Sequence, residues 1–259
     1  MDLGIAGRRA IVCASSKGLG RACAQALAEA GCIVFVNGRE PERLAAAARE
    51  IAEATGASVT PVAADVGSAQ GRARLLAACP DPDILVNNNA GPPLKDFRAL
   101  THADIVAGLE GNMVAPIALI QAVIDGMIGR RFGRIIDITS SSVLSPIAGL
   151  DLSSGARAGL TAFLAGVARE AAHANVTINH ILPGAFDTDR LRSNFARAAQ
   201  VRGVALEAVA AERARAVPAR RFGDPAEFGR LCAYLASAHA GYITGQNLLI
   251  DGGAFASAF

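Results

Sequence analysis

Tyrosine, clustered metal ligands and uninterrupted apolar runs are all scarce in this chain, and each scarcity removes a class of function. The five cysteines, Cys13, Cys23, Cys32, Cys79 and Cys232, include no Cys-x-x-Cys pair and have no His-rich neighbourhood. Zinc therefore has no ligand set to use, no metal site is expected, and the thiols read as buried and reduced. Charged residues are 19% of the sequence and sum to a formal net charge of +2 without long basic runs, so neither a nucleic-acid groove nor a membrane-surface patch is indicated. The most apolar long stretch, "MVAPIALIQAVIDGMIG", is interrupted by Gln121 and Asp125 and falls short of a comfortable membrane span. The amino terminus "MDLGIAGRRAIVCASS" has too few apolar residues after its basic pair for a signal-peptide core, and a cytoplasmic protein is expected. The only tyrosines are Tyr234 and Tyr242, so no phenol is available anywhere earlier in the chain.

What is present is a regular alternation. Short β-branched runs, "RAIVCA", "CIVFVNG", "SVTPVAAD", "DILVNNN", "RIIDITS", "VTINHILPG" and "NLLIDGG", alternate with Ala-rich segments of helical length. That pattern predicts an α/β fold, a Rossmann-type doubly wound parallel sheet with helices on both faces. The segments "RACAQALAEAG" and "EPERLAAAAREIAEATG" have helical spacing, and each closes on a glycine suited to a helix end. No linker or shift of composition divides residues 1–259, so one domain is expected. From about Asp187 to Pro218 the pattern changes to an Arg- and Ala-rich insertion, where a substrate lid is expected.

The first β-run leads into "CASSKGLGRACAQAL", where Gly18 and Gly20 open a helix. A turn of that kind lets backbone approach a pyrophosphate and aims helix N-terminal amides at its charge. With its strand-turn-helix placement, the sequence resembles the short-chain dehydrogenase/reductase family, whose fingerprint is Thr-Gly-x-x-x-Gly-x-Gly, with Ala14 in place of the first glycine. The resemblance extends over essentially the whole chain. It implies a nucleotide site that includes Ala14, Ser16, Lys17, Gly18, Leu19 and Gly20 in the turn, with Asp65 and Val66 of "AADV" at the adenine. "LVNNNAG" resembles the family's Asn-Asn-Ala-Gly stretch, with Asn88 favoured over Asn89 as the structural amide. "LPGAFDT" supplies Pro183, Gly184 and Thr188, the last expected near the nicotinamide carboxamide. "RRFGDPAEFGRLCAYLAS" and "YITGQNLLIDGG" resemble the closing helix and last strand.

Charge at the end of the second strand bears on the choice of cofactor. An NAD site offers a carboxylate to the ribose 2′-hydroxyl there, whereas an NADP site removes that charge and supplies a cation. In "FVNGRE" the acidic position falls on Gly38, Arg39 follows, and Lys17 adds a second cation from the glycine turn. NADP(H) is therefore favoured over NAD(H).

The resemblance implies hydride transfer between a nicotinamide and a carbonyl or alcohol, with the proton handled by the tyrosine of Tyr-x-x-x-Lys. Asn112 in "LEGNMVAPIAL" matches the family's upstream asparagine. The carbonyl-polarising serine falls on Ser140, with Ser141 and Ser142 as neighbours able to take the part. Counting on from Ser140 reaches Ser153 where tyrosine belongs and Arg157 where lysine belongs, with the family-like "RAGLTAF" holding the register. Positions i and i+4 share a helix face, so Ser153 and Arg157 still point into one cleft. Arg157 keeps a cation and donors for ribose hydroxyls. An aliphatic hydroxyl is a weaker acid than a phenol, so the standard proton step is impaired. Three substitutes are open: a relay of Ser153 with water, Arg157 and Asn112; Asp151 as an acid; or a proton from the substrate. Asp151 also suits a helix start, and His180 suits a buried core position.

These readings lead to a divergent NADP(H)-dependent oxidoreductase that interconverts a ketone or aldehyde and an alcohol, similar to 3-oxoacyl carrier-protein reductases. A nucleotide-binding protein without redox turnover is the alternative. By resemblance, the apolar faces of the segments around Asn112 and Arg157 imply a homotetramer or homodimer, with a small molecule as the other partner.

Overall fold

Seven short strands form one sheet because each is rich in residues that are apolar on both sides. They are β1 (Arg9–Val12), β2 (Ile33–Gly38), β3 (Val59–Ala63), β4 (Ile84–Asn87), β5 (Gly133–Ile138), β6 (Val176–Pro183) and β7 (Asn247–Ile250). The order is β3-β2-β1-β4-β5-β6-β7, and every pairing is parallel. Six of the seven predicted runs contain a whole strand and the fifth contains all of β5 but Gly133, and the chain is the single doubly wound domain that they imply. The structure is a computed structural model and describes residues 1–92 and 94–257.

Alternate side chains along a strand feed opposite faces of a sheet. On β1, Ala10 and Val12 join a core with α1 (Gly18–Glu29), α2 (Pro41–Thr55) and α9 (Pro225–Ala236). Ile11, one residue out of phase, joins the opposite core. That core is built with α3 (Ala69–Ala78), α5 (Ala115–Gly129) and α6 (Asp151–Ala171). Strand order reverses between β1 and β4, so a crevice opens beyond their carboxyl ends, which is where ligands bind in open sheets of this type.

Two features add to the sequence reading. The helix α4 (His102–Leu109) runs through a π-turn, Glu110–Val114, directly into α5. By length and composition, the resulting 28-residue helix, longer than the stretch beginning at Met113, is long and apolar enough to cross a membrane. In the fold its second half packs Leu119, Ile120, Val123 and Met127 into the core. The Arg- and Ala-rich segment, for its part, forms two helices, α7 (Asp189–Arg202) and α8 (Leu206–Ala216). They share a small core of Phe195, Ala199 and Val209. A bridge between Phe186 and Gly223 closes the base of this excursion.

Candidate active site

A cleft of about 430 Å³ lies over the carboxyl ends of the strands. It is lined by fifteen of the residues singled out in the sequence: Ala14, Ser16, Lys17, Gly18, Leu19, Arg39, Asp65, Val66, Asn88, Ser140, Ser153, Arg157, Pro183, Gly184 and Thr188. Gly20 and Asn112 lie outside that lining.

At the nucleotide end the turn between β1 and α1 is held from several sides. Ala14 has φ +44°, a left-handed conformation that costs alanine about 1 kcal/mol relative to glycine. Buried Asn37 accepts a hydrogen bond from the Ala14 amide at 3.3 Å. Its own amide donates to the carbonyls of Val62 and Ala64 at 3.1 and 2.9 Å. Asn88 donates to the Ala14 carbonyl at 3.2 Å, whereas Asn89 donates to the Gly111 carbonyl at 3.0 Å. Gly20 acts by being small, because a Cβ there would lie 2.5 Å from the Ala14 carbonyl oxygen.

The same end fits a phosphorylated dinucleotide. Lys17, the residue before α1, provides no side-chain cap, so the first amides of the helix stay available to an anion. Lys17 and Arg39 are exposed, and among the described residues neither forms an ion pair. Of the nearby acids, Glu40 pairs with Arg43 at 3.3 Å, and Asp65 turns back to accept from the Gly67 amide at 3.0 Å. Thr188 caps α7, accepting from the Leu191 amide at 3.4 Å.

At the other end, β5 delivers Ser140 and α6 delivers Ser153 and Arg157. Of the three consecutive serines, Ser140 lines the cleft and accepts a hydrogen bond from the Ser142 amide at 3.1 Å. Ser153 and Arg157 are 5% and 8% exposed. Arg157 Nε donates to Ser153 Oγ at 3.3 Å, and Arg157 Nη1 donates to the Ile138 carbonyl at 2.6 Å. Burial pushes Arg157 down to about 10; the Arg190 charge acts in the same direction and Asp137 opposes it. Asp151 is exposed at the start of α6 and does not line the cleft. Asn112 is buried in the π-turn; its amide donates to the Gly108 carbonyl at 3.2 Å and its Oδ1 meets no protein donor.

Several contributors were missed in the sequence. His180 is indeed a core residue, but it faces Asp137 on the neighbouring strand, Nδ1 to Oδ2 at 3.2 Å, and Asn87 donates to Asp137 from the other side at 2.8 Å. Only strand register makes that row visible. Asn37 had a weak signal, a polar residue inside an otherwise apolar strand. Arg190 had none beyond following Thr188 by two positions; its guanidinium reaches Gly91, where a Cβ would lie 3.0 Å from Nη2. All five cysteines are buried and unpaired. No cluster of three or more metal-ligating side chains occurs among the described residues.

Fold and cleft together define a dinucleotide-binding α/β protein of the doubly wound class. Comparison with known proteins narrows the class. A family model described as "Enoyl-(Acyl carrier protein) reductase" matches residues 13–254. The chain is 30% identical to 3-oxoacyl-[acyl-carrier-protein] reductase FabG of Aquifex aeolicus, over 98% of this chain and 100% of that one. It is 33% identical to acetoacetyl-CoA reductase of Allochromatium vinosum, over 96% of this chain and 98% of the relative. L-sorbose reductase of Gluconobacter frateurii, solved with NADPH and L-sorbose, superposes with a TM-score of 0.93 at 27% identity, covering 99% of this chain and 100% of that one. This chain belongs to the classical short-chain dehydrogenase/reductase family.

Proposed function

We propose that this protein is an NADP(H)-dependent reductase of a ketone or aldehyde, similar to 3-oxoacyl reductases, in which serine hydroxyls replace the usual phenol at the carbonyl oxygen. The observation that carries the reading is the single cleft, with unpaired Lys17 and Arg39 at one end and Ser140, Ser153 and Arg157 at the other. The NADPH-bound sorbose reductase of the same fold supports the choice of cofactor.

NADPH, when bound, supplies the hydride. Arg39 and Lys17 would hold the 2′-phosphate, the α1 amides the pyrophosphate, and Asp65 and Val66 the adenine. Asn88 and Asn37 keep the turn at Ala14 open for that approach. Pro183, Gly184 and Thr188 would border the nicotinamide, and Arg157 would donate to the ribose hydroxyls.

The hydroxyl geometry says what replaces the phenol. Ser153 Oγ accepts from Arg157, and Ser140 Oγ accepts from the Ser142 amide. A hydroxyl whose oxygen already accepts still has its own proton to donate. Both serines therefore donate into the cleft and polarise one carbonyl oxygen from two sides. Ser153 passes its proton to that oxygen and regains one from water, with the buried amide of Asn112 holding the relay water behind it. The helices α7 and α8, within the 187–218 segment, act as the substrate lid. Exposed Ile105, Val106, Leu109, Val114 and Phe163 support pairing of the long helices between subunits in a soluble, cytoplasmic homodimer or homotetramer.

The replacement of the phenol also favours a second reading, a nucleotide-binding protein without turnover. Turnover with NADPH and a panel of ketones separates the two. The reductase reading expects slow reduction that Ser153→Ala abolishes. NADPH binding without reduction of any ketone, with activity created by Ser153→Tyr plus Arg157→Lys, supports the second reading instead.

A further inference from the structure

Around the carbonyl site the cleft carries more positive charge than its protein neighbours balance. Arg157 is 8% exposed, and among the described residues no carboxylate lies within ion-pair distance of it. Its hydrogen-bond acceptors are a serine hydroxyl and a backbone carbonyl, both neutral. The charge of Asp137 acts on it, but that carboxylate is engaged by Asn87 and faces His180 within the sheet. Arg190 lines the same cleft as Arg157, and its charge adds to the lowering of Arg157 that burial causes.

Arg190 itself is exposed and in the described residues has no ion-pair partner. Its neighbours on α7 are arranged otherwise: Arg192 is held by Asp187 at 2.8 Å, and Asp189 also acts on Arg192. The Arg190 guanidinium instead lies against Gly91, which follows the cleft-lining Ala90 beyond β4. Ribose hydroxyls can satisfy the donors of Arg157 but not its charge. The phosphates of the nucleotide fall, in the function proposed above, to Lys17, Arg39 and α1. A buried cation without a counter-charge is costly, and a guanidinium pairs best with a planar oxyanion.

Resting on that function, we infer that the substrate is an oxo acid, a carbonyl compound whose carboxylate binds between Arg190 and Arg157 while its carbonyl faces Ser140 and Ser153. The carboxylate completes the missing charge at the site, and Arg190, carried on α7, couples its arrival to the position of the lid.

Calorimetry on the full-length protein tests this in two stages. NADP⁺ is titrated first; its failure to bind would remove the underlying function and this inference with it. Pyruvate, acetoacetate and levulinate are then compared with their methyl esters on NADP⁺-saturated protein. At least one acid is expected to bind about tenfold or more tighter than its ester. Arg190→Gln should erase that preference and Arg190→Lys restore part of it, with ester affinity changed less than about threefold. If NADP⁺ binds but no acid exceeds its ester, or if Arg190→Gln leaves the preference intact, the oxo-acid assignment is wrong while the nucleotide assignment stands.

Discussion

The nucleotide end of the cleft is built from small and neutral positions, while the catalytic end, in the family register proposed above, carries serine and arginine where the family has tyrosine and lysine. Gly20 still lets α1 close on the Ala14 carbonyl, Gly38 still keeps a carboxylate away from the end of β2, and Asn88 still ties β4 to the turn. The departures from the fingerprint there are small: Cys13 stands at the threonine position, and alanine at position 14 is a methyl group in a strained backbone. On α6, by contrast, the proposed register puts Ser153 and Arg157 in place of the phenol and the amine. They do so as a bonded pair in one buried face. Binding a nucleotide depends on backbone shape, which tolerates little change. Proton transfer depends on a single acid, which can be exchanged if another donor reaches the same oxygen.

The contrast can be broken most forcefully at the catalytic end. Ser153→Tyr combined with Arg157→Lys should raise kcat for ketone reduction by about 10² to 10⁴, the usual worth of a positioned acid, measured as NADPH consumption. No gain would mean that the serine pair already does the phenol's work. Next in size is Asn37→Ala, which strands the carbonyls of Val62 and Ala64 and frees the Ala14 amide. It should lower unfolding free energy by about 2–3 kcal/mol, read by denaturant titration, and weaken NADPH binding through the loosened turn. Arg39→Ala comes third, with about tenfold weaker NADPH binding and NADH within about twofold; equal losses would contradict the phosphate assignment. Ala14→Gly is the smallest, a stabilisation of up to about 1 kcal/mol with cofactor preference unchanged.

Elements whose cause is local were legible in the sequence. Each strand announced itself by apolar, β-branched residues, and the glycine turn by its place between strand and helix. The spacing of Ser153 and Arg157 was legible because both lie on α6, one unbroken helix in which counting residues also counts faces. What escaped depends on contacts distant in sequence. The row Asn87–Asp137–His180 exists only through the registers of β4, β5 and β6. The reach of Arg190 to Gly91 depends on how α7 folds back over the cleft. The π-turn that buries Asn112 and joins α4 to α5 inserts backbone geometry that residue periodicity does not encode.

Calorimetric titration of the purified, folded protein with NADPH and with NADH tests the central claim most directly. Saturable binding of NADPH, about tenfold or more tighter than NADH, is the predicted result. Absence of NADPH binding, or an equal or stronger response to NADH, would contradict it.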